Sequence, residues 1–147
     1  KESGEQVARR KSPKKGRVID IFVELVRMTQ LLPHPNLTIH VLLTHQEEVW
    51  VDDGQGSWRR RGWSIGDRRL LDVAEKVALH HAADYLALLP PALEPPFTNK
   101  ELAAALSCRA NVAQKMTYTL RHMGLLAVVG KDGRSNLMAP LPAGSSQ

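Results

Sequence analysis

The stretch from Phe97 to Asn136, FTNKELAAALSCRANVAQKMTYTLRHMGLLAVVGKDGRSN, is punctuated so closely that few arrangements accommodate it. Pro95 and Pro96 make a helix start before it costly. Thr98 stands where an N-cap belongs and Glu101 follows three residues later, the reciprocal pair of a capping box. Leu102, Ala105 and Leu106 recur at i, i+3 and i+4 and give a first helix one apolar face, while Ala103 and Ala104 are small enough for close helix approach. Ser107-Cys108-Arg109 forms a turn, and a second helix is predicted from Ala110 to Met123. In it Ala113, Met116, Leu120 and Met123 face inward with Val112 at their margin, and Asn111, Gln114, Lys115, Tyr118 and Arg121 face out. Gly124 closes this helix. LLAVVG then reads as a strand, Lys131-Asp132-Gly133 as a turn and Arg134 to Met138 as the returning strand, with Asp-Gly as the hairpin signal.

This order of helix, three-residue turn, longer helix and hairpin resembles the winged-helix (winged helix-turn-helix) DNA-binding superfamily over about residues 82–140. The run RHMGLLAVVG, leading from helix through glycine into strand, is the part most similar to that family. The glycine common in such turns is absent here. The resemblance implies a recognition helix at about 110–123 in the major groove of double-stranded DNA, with a basic hairpin on the neighbouring phosphates. Asn and Gln pair bidentately with adenine, Arg and Lys with guanine. Asn111, Gln114, Lys115 and Tyr118 are therefore the expected base contacts; Lys100, Arg109, Arg121, Lys131 and Arg134 are the expected phosphate contacts. Winged helices also serve as protein–protein assembly modules, which remains an alternative.

Charge follows the same division. Residues 1–17 carry seven Lys or Arg and two Glu; residues 18–96 carry seven basic and eleven acidic side chains; residues 97–147 carry six basic and two acidic. A positive C-terminal segment beside a negative middle is the footprint expected of a nucleic-acid contact next to a non-contacting part. A single cysteine, Cys108, leaves no internal disulfide and fits a reducing, cytoplasmic setting; in that turn it reads as a half-buried small residue rather than a nucleophile. The charged start, with no apolar stretch after it, is not expected to be a secretory signal, and no apolar run reaches membrane-spanning length. The chain begins with Lys1, which fits a fragment of a longer protein whose remainder could hold the main activity.

Upstream, residues 1–16 (KESGEQVARRKSPKKG) read as a flexible basic arm or linker. From Arg17 to Leu32, Ile21, Leu25, Met28 and Leu32 keep helical spacing until Pro33. So broad an apolar face suggests burial on more than one side or a surface for a homodimer or a neighbouring domain. Leu37 to Val51 reads as a strand, Asp53-Gly54-Gln55-Gly56 as a turn, and Ser57 to Ile65 as the returning strand. All three tryptophans, Trp50, Trp58 and Trp63, fall in this hairpin with Arg59, Arg60 and Arg61 between two of them. The favoured expectation is cross-strand Trp and Arg pairs packed against Glu47, Glu48, Asp52 and Asp53; the alternative is base stacking. Residues 67–81 are expected to end a strand and begin a helix, and Ala82 to Leu89 to form a short helix stopped by Pro90-Pro91. The last residues, 141–147, read as a tail.

No H-E-x-x-H, cysteine pair, phosphate loop or G-x-S-x-G occurs, so no catalytic residue, metal ligand set or cofactor is expected. His80, His81 and Asp84 make at most a loose constellation. Asp20, Glu24, Glu47 and Glu48 resemble a metal-dependent nuclease only in outline, leaving a C-terminal nuclease fragment as a further alternative. The expected fold class is thus α+β: an α/β portion over 17–81, built of one helix and a Trp-rich hairpin, then a winged helix over 82–140. The expected function is duplex DNA binding, in transcription regulation or in targeting a DNA-processing protein.

Overall fold

The computed structural model describes residues 8–142. Residues 1–7 of the expected arm and 143–147 of the expected tail lie outside the described residues. The chain is mixed α/β, with two two-stranded antiparallel sheets and several helices. In order come a 3-10 turn (Val18–Ile21), α1 (Phe22–Leu25), β1 (Ile39–Asp52), β2 (Trp63–Leu79), α2 (Ala82–Leu86), α3 (Asn99–Leu106), α4 (Ala110–His122), β3 (Leu126–Asp132) and β4 (Ser135–Pro140).

The helix predicted over 17–32 is much shorter. Only Val18 to Leu25 is helical, beginning as 3-10, and the chain continues to Pro33 in hydrogen-bonded turns. Val18, Ile19, Ile21, Val23 and Val26 are β-branched and lose rotamer freedom in a helix, which offsets the favourable spacing. Ile19, Phe22, Leu25 and Leu32 are buried in the protein's own core.

β1 and β2 form a long ribbon. Its register runs from Ile39↔Leu79 to Asp52↔Trp63 and is interrupted by three bulges. The return strand starts at Trp63, not at Ser57, and continues unbroken to Leu79, so no helix begins within 67–81. β2 has 17 residues against 14 in β1, and the three extra residues supply the three bulges. Each bulge shifts the period-2 alternation by one and leaves Leu70, Val73, Ala74 and Val77 spaced as on a helix. Pairing with β1 overrides that local pattern. Residues 8–16 are exposed and without regular structure; Arg9 forms an ion pair with Glu47 of β1 at 3.4 Å.

The core is shared by both parts of the chain. Ile19, Phe22, Leu25, Val41 and Leu79 join Tyr85, Phe97, Leu102, Met116, Leu120 and Met138 in one contiguous cluster. The second hairpin is tied in by Phe97, whose N–H donates to Met138 O at 2.9 Å and whose carbonyl accepts from Met138 N at 2.8 Å. The hairpin loop is Gly133-Arg134, closed by the Asp132↔Ser135 pair, one residue later than expected. Gly133, at φ +58, takes the left-handed position that a two-residue hairpin loop needs.

Candidate nucleic-acid interface

α3 starts as the sequence indicates. Thr98 Oγ1 accepts from Glu101 N at 3.2 Å, and Glu101 Oε2 accepts from Thr98 N at 2.7 Å. These bonds hold the Glu101 carboxyl below the usual carboxylate range, the Thr98 N–H first and its hydroxyl second. Leu102, Ala103 and Leu106 form the buried face of α3, whereas Ala105 is exposed. α3 ends at Ser107, which is left-handed at φ +51, and Cys108, half-buried, donates its N–H to Ala103 O at 3.0 Å. Ser107 occupies the conformation for which the missing glycine is usual.

α4 is anchored by Val112, Ala113, Met116 and Leu120, all buried. Two buried threonines complete that side. Thr117 Oγ1 donates to Asn99 Oδ1 at 2.6 Å and so links α4 to the first turn of α3, while Thr119 Oγ1 donates to Lys115 O at 2.8 Å. Since every threonine hydroxyl on the inner side has an internal partner, burial leaves none unsatisfied. Gly124, at φ +75, then turns the chain from α4 into β3.

The opposite side carries Asn111, Gln114, Tyr118 and Arg121 in one exposed stripe with i, i+3 and i+4 spacing, and Lys115 beside it is half-buried. The stripe covers about 15 Å of helix at ~1.5 Å per residue. The Tyr118 ring stacks on His122 with centroids 3.9 Å apart, and His122 Nδ1 lies 2.8 Å from Tyr118 O. His122 therefore belongs to this surface although sequence reading passed over it; its i+4 spacing from Tyr118 was the available signal. Arg121 and His122 also edge a shallow recess of about 330 Å³ whose other wall is Leu126 to Val128 of β3.

Lys100 in the first turn of α3, Arg109 before α4, Lys131 in β3 and Arg134 in the hairpin loop are all exposed. They come from separate segments of the fold: α3, the start of α4 and the β3–β4 hairpin. Among the described residues, no ion pair engages any of these four cations, Lys115 or Arg121. The two acids of this segment are Glu101, engaged in its cap, and Asp132. An outward helical face bearing amide, guanidinium and ammonium donors, and free of carboxylates, can hydrogen-bond base edges and attract phosphates.

The tryptophan hairpin meets its expectation in part: Arg60 lies over the Trp50 ring across the hairpin, 5.0 Å from its centroid, but the acids pair elsewhere. Residues 58–60 form a 3-10 turn at the far end of the ribbon, and among the described residues no ion pair joins Arg59, Arg60 or Arg61 to an acid. Glu48 pairs instead with Arg68 across the strands at 3.3 Å, and Glu47 with Arg9. Asp53 accepts from Ser64 Oγ at 2.6 Å and from Gln55 N at 2.9 Å, which together lower its pKa.

Several other titratable groups have partners within the fold. Asp84 accepts from His81 N at 2.8 Å and His80 N at 2.9 Å at the start of α2, and these bonds hold its carboxyl low. His80 Nδ1 lies 2.8 Å from Thr38 Oγ1. Asp20 accepts from Arg17 N, and Glu24 pairs with Arg27. Among the described residues, no group of three or more His, Cys, Asp or Glu converges on a point where a metal ion could sit. Among them too, no helix is long and apolar enough to cross a membrane.

The chain belongs to a family described as a domain of unknown function, DUF8091, which matches residues 1–80. That match ends just after β2, so it covers the ribbon and stops before α2. The chain is also 30% identical over 149 residues to an uncharacterized protein of Treponema pallidum (strain Nichols), covering 99% of this chain and 57% of that protein. It thus spans little more than half the length of this relative. No solved structure matches it.

Proposed function

We propose that this chain binds duplex DNA as a winged helix, with α4 in the major groove and the β3–β4 hairpin against the neighbouring backbone. The observation that carries the reading is the split of α4: a fully anchored inner side and an outer stripe of Asn111, Gln114, Tyr118 and Arg121 with no carboxylate among them. Asn111, Gln114, Lys115 and Tyr118 address base edges; Arg109, Arg121, Lys131, Arg134 and Lys100 neutralise phosphates. The Phe97–Met138 bridge supports this reading because it pins the hairpin beside the helix pair, as a wing must be held. Each phosphate neutralised releases counterions, so binding is steeply salt-dependent. The role that follows is transcription regulation or the targeting of a DNA-processing protein.

The test is a gel shift on mixed-sequence duplex at low salt with the Lys115→Glu chain. The charge reversal sits beside the stripe and leaves the buried side of α4 intact. Loss of the shifted band is expected; an unchanged shift would remove α4 from the contact.

A further inference from the structure

The β1–β2 ribbon extends far beyond the core. Only its base is buried, at Val41 and Leu79; the 14 residues of β1 span about 45 Å at ~3.4 Å each. At its far end Trp58 is 83% exposed, the largest value among the exposed large hydrophobic side chains. The Arg59 guanidinium lies 5.4 Å from the Trp58 ring, and that of Arg60 lies 5.0 Å from the Trp50 ring. Arg61 follows in a left-handed conformation at φ +50. Gly56 makes the loop this tight, since a Cβ there would lie 2.0 Å from Trp63 O. Among the described residues, none of the three arginines is in an ion pair.

Folding accounts for this tip only in part, through the Arg59–Trp58 and Arg60–Trp50 cation–π contacts. An indole left in water adds little burial, and three adjacent unpaired guanidiniums repel one another. The combination suits a ligand that is both polyanionic and rich in π faces. We propose that the ribbon tip is a second nucleic-acid contact: Arg59, Arg60 and Arg61 hold phosphates while Trp58 packs against a base or sugar. A two-stranded ribbon is of a width that a DNA groove admits. An anionic membrane fits less well, because Trp58 is the one indole mostly in water while Trp50 and Trp63 are only 38% and 36% exposed, so the tip offers little apolar surface to insert. The proposal rests on the DNA reading of α4 and adds a contact on a different element, within the segment that the family match covers.

The experiment uses the full chain and fluorescence anisotropy on a labelled duplex of about 30 base pairs across about 50 to 200 mM salt. Arg59→Gln/Arg60→Gln/Arg61→Gln is expected to weaken binding at least tenfold and to flatten the salt slope by about two to three. Trp58→Ala, which removes a side chain with almost no packing, is expected to weaken binding about tenfold with the slope kept. It serves as the second variant should the triple change disturb the Arg60–Trp50 contact. Arg121→Ala on α4 is the reference. If it weakens binding and both tip variants match the parent chain, the tip proposal is overturned and the α4 reading stands. If the tip variants weaken binding and Arg121→Ala does not, the tip contact stands and the α4 reading falls. A parent chain with no duplex affinity overturns both. Trp58-dependent binding to phosphatidylglycerol vesicles, with duplex binding indifferent to the tip, overturns the proposal in favour of a lipid surface.

Discussion

The guanidinium of Arg17 donates to the main-chain carbonyl of Leu106, 89 residues further along the chain, and reaches the Ser107 carbonyl at 3.4 Å. These are the open carbonyls at the C-terminal end of α3, where a cation also favours the helix dipole. One side chain just before the first 3-10 turn thereby secures the helix that precedes the turn into α4. Arg17→Ala is expected to lower the unfolding free energy by about 1–2 kcal/mol, toward the low end because the guanidinium is largely in water. Urea unfolding of the two chains measures it, and Arg17→Lys should recover only part of the loss because it lacks the planar fork.

The capping box at Thr98 and Glu101 gives a second expectation. Thr98→Ala removes one acceptor from the first turn of α3 and should cost about 1 kcal/mol. Glu101 adds a pH dependence whose sign is determined. Its folded pKa lies below its unfolded value because it accepts from Thr98 N and the Thr98 hydroxyl. Its contribution is therefore fully present above the ordinary glutamate range, about pH 4.3, and is lost as pH falls through the lower folded value. Glu101→Gln should melt below the parent chain at neutral pH, and the two melting curves should converge in acid.

Ser107 carries a left-handed backbone, φ +51 and ψ +44, on a residue with a Cβ. That conformation costs an L-residue about 1–2 kcal/mol, more than the ~0.4–1 kcal/mol that the extra freedom of glycine costs through the unfolded chain. Ser107→Gly should therefore stabilise the protein by up to about 1 kcal/mol, raising its melting temperature without altering α4. A lower melting temperature would mean that the Ser107 side chain contributes something its position does not reveal.

What could be read in advance was what is encoded locally. Thr98 with Glu101, the turn at Ser107 to Arg109, the anchor residues of α4 and the stop at Gly124 each depend on neighbours within about one or two turns of chain. The arrangement of Asn111, Gln114, Tyr118 and Arg121 on one face followed from the same spacing. What escaped depends on partners distant in sequence. The helix predicted over 17–32 was cut short by β-branched residues that pack more favourably as turns around Phe22 and Leu25. The ribbon's full length was hidden because its bulges break the alternation of Leu70 to Val77. The Arg17–Leu106 and Phe97–Met138 bonds leave no local trace at all. His122 was missed for another reason: its role lies in the Tyr118 ring it supports, not in a motif.

The central claim is that the outer stripe of α4 meets duplex DNA, and backbone amide mapping tests it directly. A nitrogen-15-labelled chain is titrated with a duplex of about 20 base pairs at about 50 mM salt, and amide shift changes are followed residue by residue. The account predicts the largest changes from Arg109 to His122 and at Lys131 to Arg134, with Val41, the buried residue of β1, little affected. A titration that leaves α4 unmoved, or moves only residues away from it, contradicts the account.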